Sequence, residues 1–135
     1  MQTRDIMTTP VIAVTATASF AEASRLMTRH GFTTVPVVDS RGNLLGLLSE
    51  EDLIRAGFPD QADPDAEVLL GRNRVVASVM RAPDLAAQAD LDVADLANHM
   101  AEARVRALPV VEGRTLVGMV TYQDVLRVLP AAGLS

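Results

Sequence analysis

The sequence predicts an α/β fold (α+β) made of two β-α-β-β-α repeats, and three observations carry that expectation. The first is an echo within the chain. Val105 to Val125 reads as a short apolar strand, a tight polar turn, a second strand broken by Gly118, and a helix opened by Thr121. Val35-Pro36-Val37-Val38-Asp39, a turn through Gly42-Asn43, Leu44 to Leu48 and Ser49-Glu50-Glu51-Asp52-Leu53 repeat it element by element. The second is register: Pro36 matches Pro109, Met7 matches Met80 and Met27 matches Met100 at an offset of 73, whereas Gly46 matches Gly118 at 72. The single deletion falls in the hairpin, where a fold tolerates a length change best. The third is helical periodicity: Phe20, Ala23, Met27 and Val93, Leu96, Met100 each lie at i, i+3, i+7, on one helix face.

Each element has a local reason. Arg4 to Thr8 reads as a short helical turn, and Val11 to Val14 as the first strand. A helix follows from about Ala18 to His30, with Ser19 and Glu22 spaced as an N-cap and its N3 acid, and Gly31 ends it because glycine accepts positive φ. Thr34 to Asp39 and Leu44 to Leu48 form the hairpin, and Ser49 opens a helix ending near Gly57-Phe58-Pro59. Asp60 to Asp65 is acidic, flanked by Pro59 and interrupted by Pro64, and without periodicity, while Ala66 to Leu70 adds at most one helical turn. The second copy starts around Arg74 with Val75-Val76 and a turn at Ser78-Val79-Met80. A weak strand near Leu85 to Ala87, a helix from Val93 to Ala103 capped by Asp92, the hairpin, and a helix from Thr121 to about Leu129 complete it. Pro130 ends that helix. The expected organisation is repeat 1 over 1–58, linker 59–73, repeat 2 over 74–130 and a frayed tail over 131–135.

Composition narrows the function. Each repeat of about 60 residues can bury only roughly 60 % of its unfolded surface, so the halves are expected to pack on each other. Hydrophobic residues make up 49 % and aromatic residues 3 %, so the core is built from Val, Leu, Ala and Met. The net charge of −5 and the lack of a basic face argue against duplex nucleic acid as a partner. All 12 cationic side chains are arginine. The absence of cysteine excludes disulfides, thiolate zinc sites and cysteine nucleophiles, and His30 and His99 are too few for a histidine-built metal site. Val11 to Ala21 resembles a signal-peptide core superficially, but Asp5, Pro10 and the threonines speak against it. No run approaches the roughly 18 apolar residues of a membrane span, and a soluble cytoplasmic protein without membrane partners is expected.

Two tetrads, Ser49-Glu50-Glu51-Asp52 and Thr121-Tyr122-Gln123-Asp124, stand where strand passes into helix. A hydroxyl followed three residues later by an acid is an N-cap pair that satisfies orphan amides. The same arrangement can serve a nucleotide, because free amides attract phosphate and a carboxylate accepts from both hydroxyls of a ribose. One residue can do both. Catalysis is not expected: Ser49 has no evident histidine partner, there is no glycine-rich phosphate loop or metal triad, and Asp52 and Asp124 occupy equivalent places, predicting two like sites.

On these residues the chain resembles a tandem pair of CBS domains, the regulatory unit known as a Bateman module. In that family a glycine and a hydrophobic residue enter a strand, a proline lies within it, and Ser/Thr-x-x-Asp follows the hairpin. Gly31-Phe32-Thr33-Thr34-Val35-Pro36 with Ser49 and Asp52 match in full; in the second copy Val105, Pro109, Thr121 and Asp124 fit, but Arg104 replaces the glycine. Asp5-Ile6-Met7-Thr8 and Val79-Met80 also resemble the family. The resemblance implies pseudo-twofold repeats packed through their sheets, with ligand clefts between them. It implies that Asp52 and Asp124 hold ribose hydroxyls, that Ser49 and Thr121 lie near ribose and first phosphate, and that backbone around Thr33-Thr34 and Arg106-Ala107 meets adenine.

A polyphosphate needs cations. Arg29 and His30 flank the first strand entry and Arg104 and Arg106 the second; of these Arg106, placed in the strand, is assigned to the ligand, and the others to solvated helix ends. The expectation is a stand-alone regulatory module binding AMP, ADP or ATP, or else S-adenosylmethionine or NADH, with magnesium accompanying a polyphosphate and no obligatory cofactor. It signals to a separate effector protein. The alternative is an unliganded dimerisation scaffold. A homodimer is expected through Leu53, Ile54, Val125, Leu126 and Leu129. Gly31, permissive where Arg104 is not, ranks the Asp52 site above the Asp124 site.

Overall fold

Ser19 and Asp92 start the two longest helices in the same way, each offering a side-chain oxygen to a first-turn amide: Ser19 Oγ to Glu22 N and Asp92 Oδ2 to Ala94 N, both at 3.1 Å. In the computed structural model, which describes residues 1–57, 75–82 and 86–129, the elements follow in order. They are α1 (Thr3–Ile6), β1 (Val14–Thr15), α2 (Phe20–His30), β2 (Thr34–Val38), β3 (Leu44–Ser49), α3 (Glu50–Gly57), a 3₁₀ turn (Val76–Ser78), β4 (Ala87–Gln88), α4 (Val93–Ala103), β5 (Ala107–Glu112), β6 (Thr115–Thr121) and α5 (Tyr122–Val128). The expected linker, its helical turn and the tail lie outside the described residues, as does Leu85.

Two sheets form, ordered β1-β2-β3 and β4-β5-β6, each with a parallel outer strand and an antiparallel hairpin. Both hairpins slip register at matching places, between Val37 and Val38 and between Val110 and Val111, so Leu45 and Val117 bulge out of the ladder. Asp39 closes the first turn by accepting from the amides of Arg41 and Asn43 at 2.8 and 2.9 Å.

Contacts divide the chain into two units, Ile12–Pro83 and Met1–Val11 with Asp84–Ser135. Each unit therefore takes its first segment from the other repeat. Val76 and Ala77 donate to Ala18 O and Ala16 O at 2.8 and 3.0 Å, and Thr3 and Arg4 donate to Leu91 O and Ala89 O at 2.8 and 2.9 Å, the same pattern 73 residues apart. Val76 and Thr3 are fully buried. This explains two departures from the expected elements. The first strand is Val14–Thr15 and not Val11 to Val14, because residues up to Val11 pack in the other unit. Val75-Val76 leads into a 3₁₀ turn, not a strand, and the weak strand moves to Ala87–Gln88.

Each unit has its own core. Val14, Ala23, Met27, Val35, Val37, Leu48 and Val76 pack in one; Ala87, Leu96, Met100, Leu108, Val110, Val120 and Val125 in the other. The apolar stripe of each long helix faces its sheet, and a fully buried Leu or Val contributes about 1.5–3 kcal/mol relative to exposure. No helix among the described residues is long and apolar enough to cross a membrane.

Candidate nucleotide sites around Asp52 and Asp124

Hairpin register places each strand entry beside a helix start. Thr34 pairs with Ser49, and Ala107 with Thr121. The next amide in each copy ties the entry down: Glu50 N donates to Thr33 O at 2.9 Å and Tyr122 N to Arg106 O at 3.0 Å. Pro36 and Pro109 sit opposite Leu47 and Met119 within the ladders. Thr33-Thr34 with Ser49-Asp52, and Arg106-Ala107 with Thr121-Asp124, are thus brought together. Gly31 and Phe32 are not part of that grouping. They line a groove of about 310 Å³ with Met27, Leu53 and Ile54 between α2 and α3, and the Phe32 ring stacks on His30 at 5.1 Å. Val105 packs against the second core.

Ser49 Oγ accepts from Asp52 N at 3.1 Å, which caps α3 and turns Asp52 inward until only 8 % of it is exposed. Arg81 then meets its carboxylate from the docked 75–82 segment, with Nε at 3.0 Å and Nη2 at 2.9 Å, both on Oδ1. Oδ2 is buried and meets no donor in good hydrogen-bond geometry, although the Ser49 hydroxyl and amide interact with the carboxylate. Burial opposes ionisation of Asp52, yet the Ser49 hydroxyl and the Arg81 guanidinium outweigh it and hold the carboxyl below the usual value.

The second copy closes on itself. Asp124, 4 % exposed, accepts from Thr121 N at 2.8 Å and Thr121 Oγ1 at 3.1 Å on Oδ2, and from Arg127 at 2.9 Å on Oδ1. Thr121 Oγ1 in turn accepts from Asp124 N at 3.3 Å, a complete capping box. Arg106 is exposed and makes no ion pair with a described residue.

Arg104 adopts the left-handed conformation, φ 57° and ψ 37°, beside φ 69° and ψ 28° for Gly31. A Cβ at Gly31 would meet nothing within 4 Å. Gly31 and Arg104 thus end their helices in the same backbone conformation, and the space beside Gly31 is open. Arg81 was outside the expected site. Its signal is the repeat itself, since Arg81 stands 73 residues after Thr8 of the Asp-Ile-Met-Thr run.

The CBS domain family model matches residues 4–58 and 76–131. The chain belongs to the CBS domain family. It is 31 % identical over 127 residues to MJ1404 of Methanocaldococcus jannaschii, covering 90 % of this chain but only 30 % of that protein. Among solved structures, CBSX2 in complex with AMP has a TM-score of 0.81 at 26 % identity, with 98 % of each chain covered. The CBS domain pair of protein MJ0100, in complex with 5-methylthioadenosine and S-adenosyl-L-methionine, has a TM-score of 0.73 at 25 % identity, covering 96 % of this chain and 99 % of that one. CBS domain pairs of the same fold thus hold adenosyl ligands. Among the described residues no cluster of three His, Cys, Asp or Glu could hold a metal ion.

Proposed function

We propose that the chain is a ligand-sensing regulatory module that binds an adenine nucleotide or a related adenosyl compound around Asp52 and around Asp124. The observation that carries this reading is Asp52 Oδ2, a buried carboxylate oxygen on the first turn of α3 that meets no donor in good hydrogen-bond geometry. Leaving such an atom unpaired costs about 1–3 kcal/mol, and a ribose hydroxyl would satisfy it. AMP in CBSX2 and the adenosyl ligands of MJ0100 support the same chemistry. In this reading Asp52 and Asp124 accept from ribose, Ser49 and Thr121 lie beside it, and the backbone of Thr33-Thr34 and Arg106-Ala107 faces adenine. Arg106, exposed and unpaired among the described residues, is available to phosphate in the second copy. Magnesium enters only with a polyphosphate.

The module acts by altering its packing on a partner protein, and it works as a homodimer. Ile54 and Leu126, equivalent residues of α3 and α5, remain 59 % and 55 % exposed at the edges of apolar grooves, whereas Val125 is spent on the core. A thermal-shift panel of AMP, ADP, ATP, S-adenosylmethionine, NADH and magnesium tests the ligand. Binding to the folded state alone must raise the melting temperature. If none of these raises it at saturating concentration, the scaffold alternative stands instead.

A further inference from the structure

The two copies differ by an exchange of charge around equivalent carboxylates. Arg81 stands where the other unit has Thr8, and Gln123 where the other copy has Glu51. Arg55 therefore pairs with Glu51 one turn away, and Asp52 is left to Arg81. Arg127, the counterpart of Arg55, has no acid at 123 and takes Asp124 itself. The Arg81 backbone is fixed, exchanging hydrogen bonds with Leu47 at 2.8 and 2.9 Å, but its side chain is 65 % exposed. Among the described residues the guanidinium is held only by Asp52.

Both Arg81 contacts, the Nε hydrogen bond and the Nη2 ion-pair contact, fall on Oδ1, while Oδ2 meets no donor in good hydrogen-bond geometry. A ribose presenting two adjacent hydroxyls needs acceptor positions on both oxygens. It can take Oδ2, but at Oδ1 it competes with the Arg81 guanidinium, which approaches that oxygen through two nitrogens. We infer that Arg81 is the specificity-determining residue of the Asp52 site: a nucleoside's hydroxyls take the carboxylate, and the released guanidinium binds the ligand's own phosphate. The inference rests on the adenosyl-binding reading and goes beyond it by naming phosphorylated nucleosides as the ligand class. A neutral nucleoside leaves Arg81 without a counter-ion. A sulfonium ligand adds a second positive charge beside it.

The test is calorimetric titration of AMP and adenosine into the full chain carrying Asp124→Asn, which isolates the first site, with Arg81 intact, as Arg81→Gln and as Arg81→Lys. With Arg81 intact AMP should bind tighter than adenosine by roughly ten- to a hundred-fold, as befits a charge-assisted phosphate contact. Arg81→Gln should collapse that ratio while leaving adenosine unchanged or tighter. Arg81→Lys, which keeps the charge, should retain part of it. In the unaltered chain the ratio should fall as salt rises, a readout that does not depend on any variant folding. Equal weakening of both ligands by Arg81→Gln, or equal affinity with Arg81 intact, would overturn the inference and leave adenosyl binding standing. If neither compound binds the unaltered chain, the adenosyl-binding reading falls and takes this one with it.

Discussion

A Cβ added to Gly46 would lie 2.6 Å from the Arg81 carbonyl oxygen, so glycine at this strand position is what lets the 75–82 segment lie against β3. Gly118 makes the same room for Met7 and Thr8, but there the nearest atom is Met7 Sδ at 2.6 Å, the movable part of a side chain, with Thr8 O at 3.1 Å. Gly46→Ala should therefore destabilise the chain more than Gly118→Ala, by roughly 1–3 kcal/mol against a smaller loss. Urea unfolding of both variants checks the order. Equal losses would contradict it.

Arg104 holds a left-handed conformation that costs an L-residue about 1–2 kcal/mol in its steric contacts. Arg104→Gly should recover part of this and raise the unfolding free energy by up to about 1 kcal/mol, whereas Gly31→Ala should lower it by a similar amount. Thermal unfolding measures both. A destabilised Arg104→Gly would mean that the arginine side chain contributes contacts worth more than the strain.

The Asp52 carboxyl is held below its ordinary value of 3.8, so the folded state binds its proton less readily than the unfolded chain. Its contribution to stability is complete above the ordinary carboxylate value and is lost as pH falls through the lower folded value. Asp39, held down by the Asn43 amide, titrates in the same direction and shares the window. Melting temperature recorded down through the carboxylate range should fall less steeply for Asp52→Asn than for the wild type. Parallel profiles would show that Arg81 and Ser49 do not favour the charged form.

Ile54 and Leu126 each project from a helix edge beside an apolar groove. Each is more than half exposed and outside its unit's buried core, so replacement with aspartate should let folding survive while the dimer weakens. Sedimentation of Ile54→Asp and Leu126→Asp at micromolar concentration should give monomers where the wild type gives dimers. A wild-type monomer would remove the dimer from the account.

Periodicity and register made much of the fold legible. The Phe20-Ala23-Met27 and Val93-Leu96-Met100 stripes located both long helices, and Ser49 and Thr121 located the helix starts, because these signals are local. The docking of the 75–82 segment on the first repeat's sheet, and of residues 1–11 on the second's, was not legible. It depends on which repeat accepts a segment, and no spacing within one repeat encodes that. Gly46 and Gly118 were the available signal, since a glycine inside a strand marks close backbone approach. The same gap hid Arg81 from the site. Gly31 is not required for the left-handed helix end, since Arg104 reaches the same backbone conformation in the second copy.

Asp52 and Asp124 also differ in how their oxygens are occupied. Both oxygens of Asp124 accept well-formed hydrogen bonds from Thr121 and Arg127, whereas Asp52 Oδ2 meets no donor in good geometry, so Asp52 should contribute more to ligand affinity. Asn at either position keeps the shape and one carbonyl acceptor but loses the charge. The direct measurement is titration of AMP into the wild type, Asp52→Asn and Asp124→Asn, each checked for folding by its thermal transition. Binding by the wild type that Asp52→Asn weakens roughly ten- to a hundred-fold, with a smaller loss for Asp124→Asn, is the result expected for charge-assisted ribose bonds. AMP binding that is unchanged in Asp52→Asn, or absent from the wild type, would contradict an adenosyl site at Asp52.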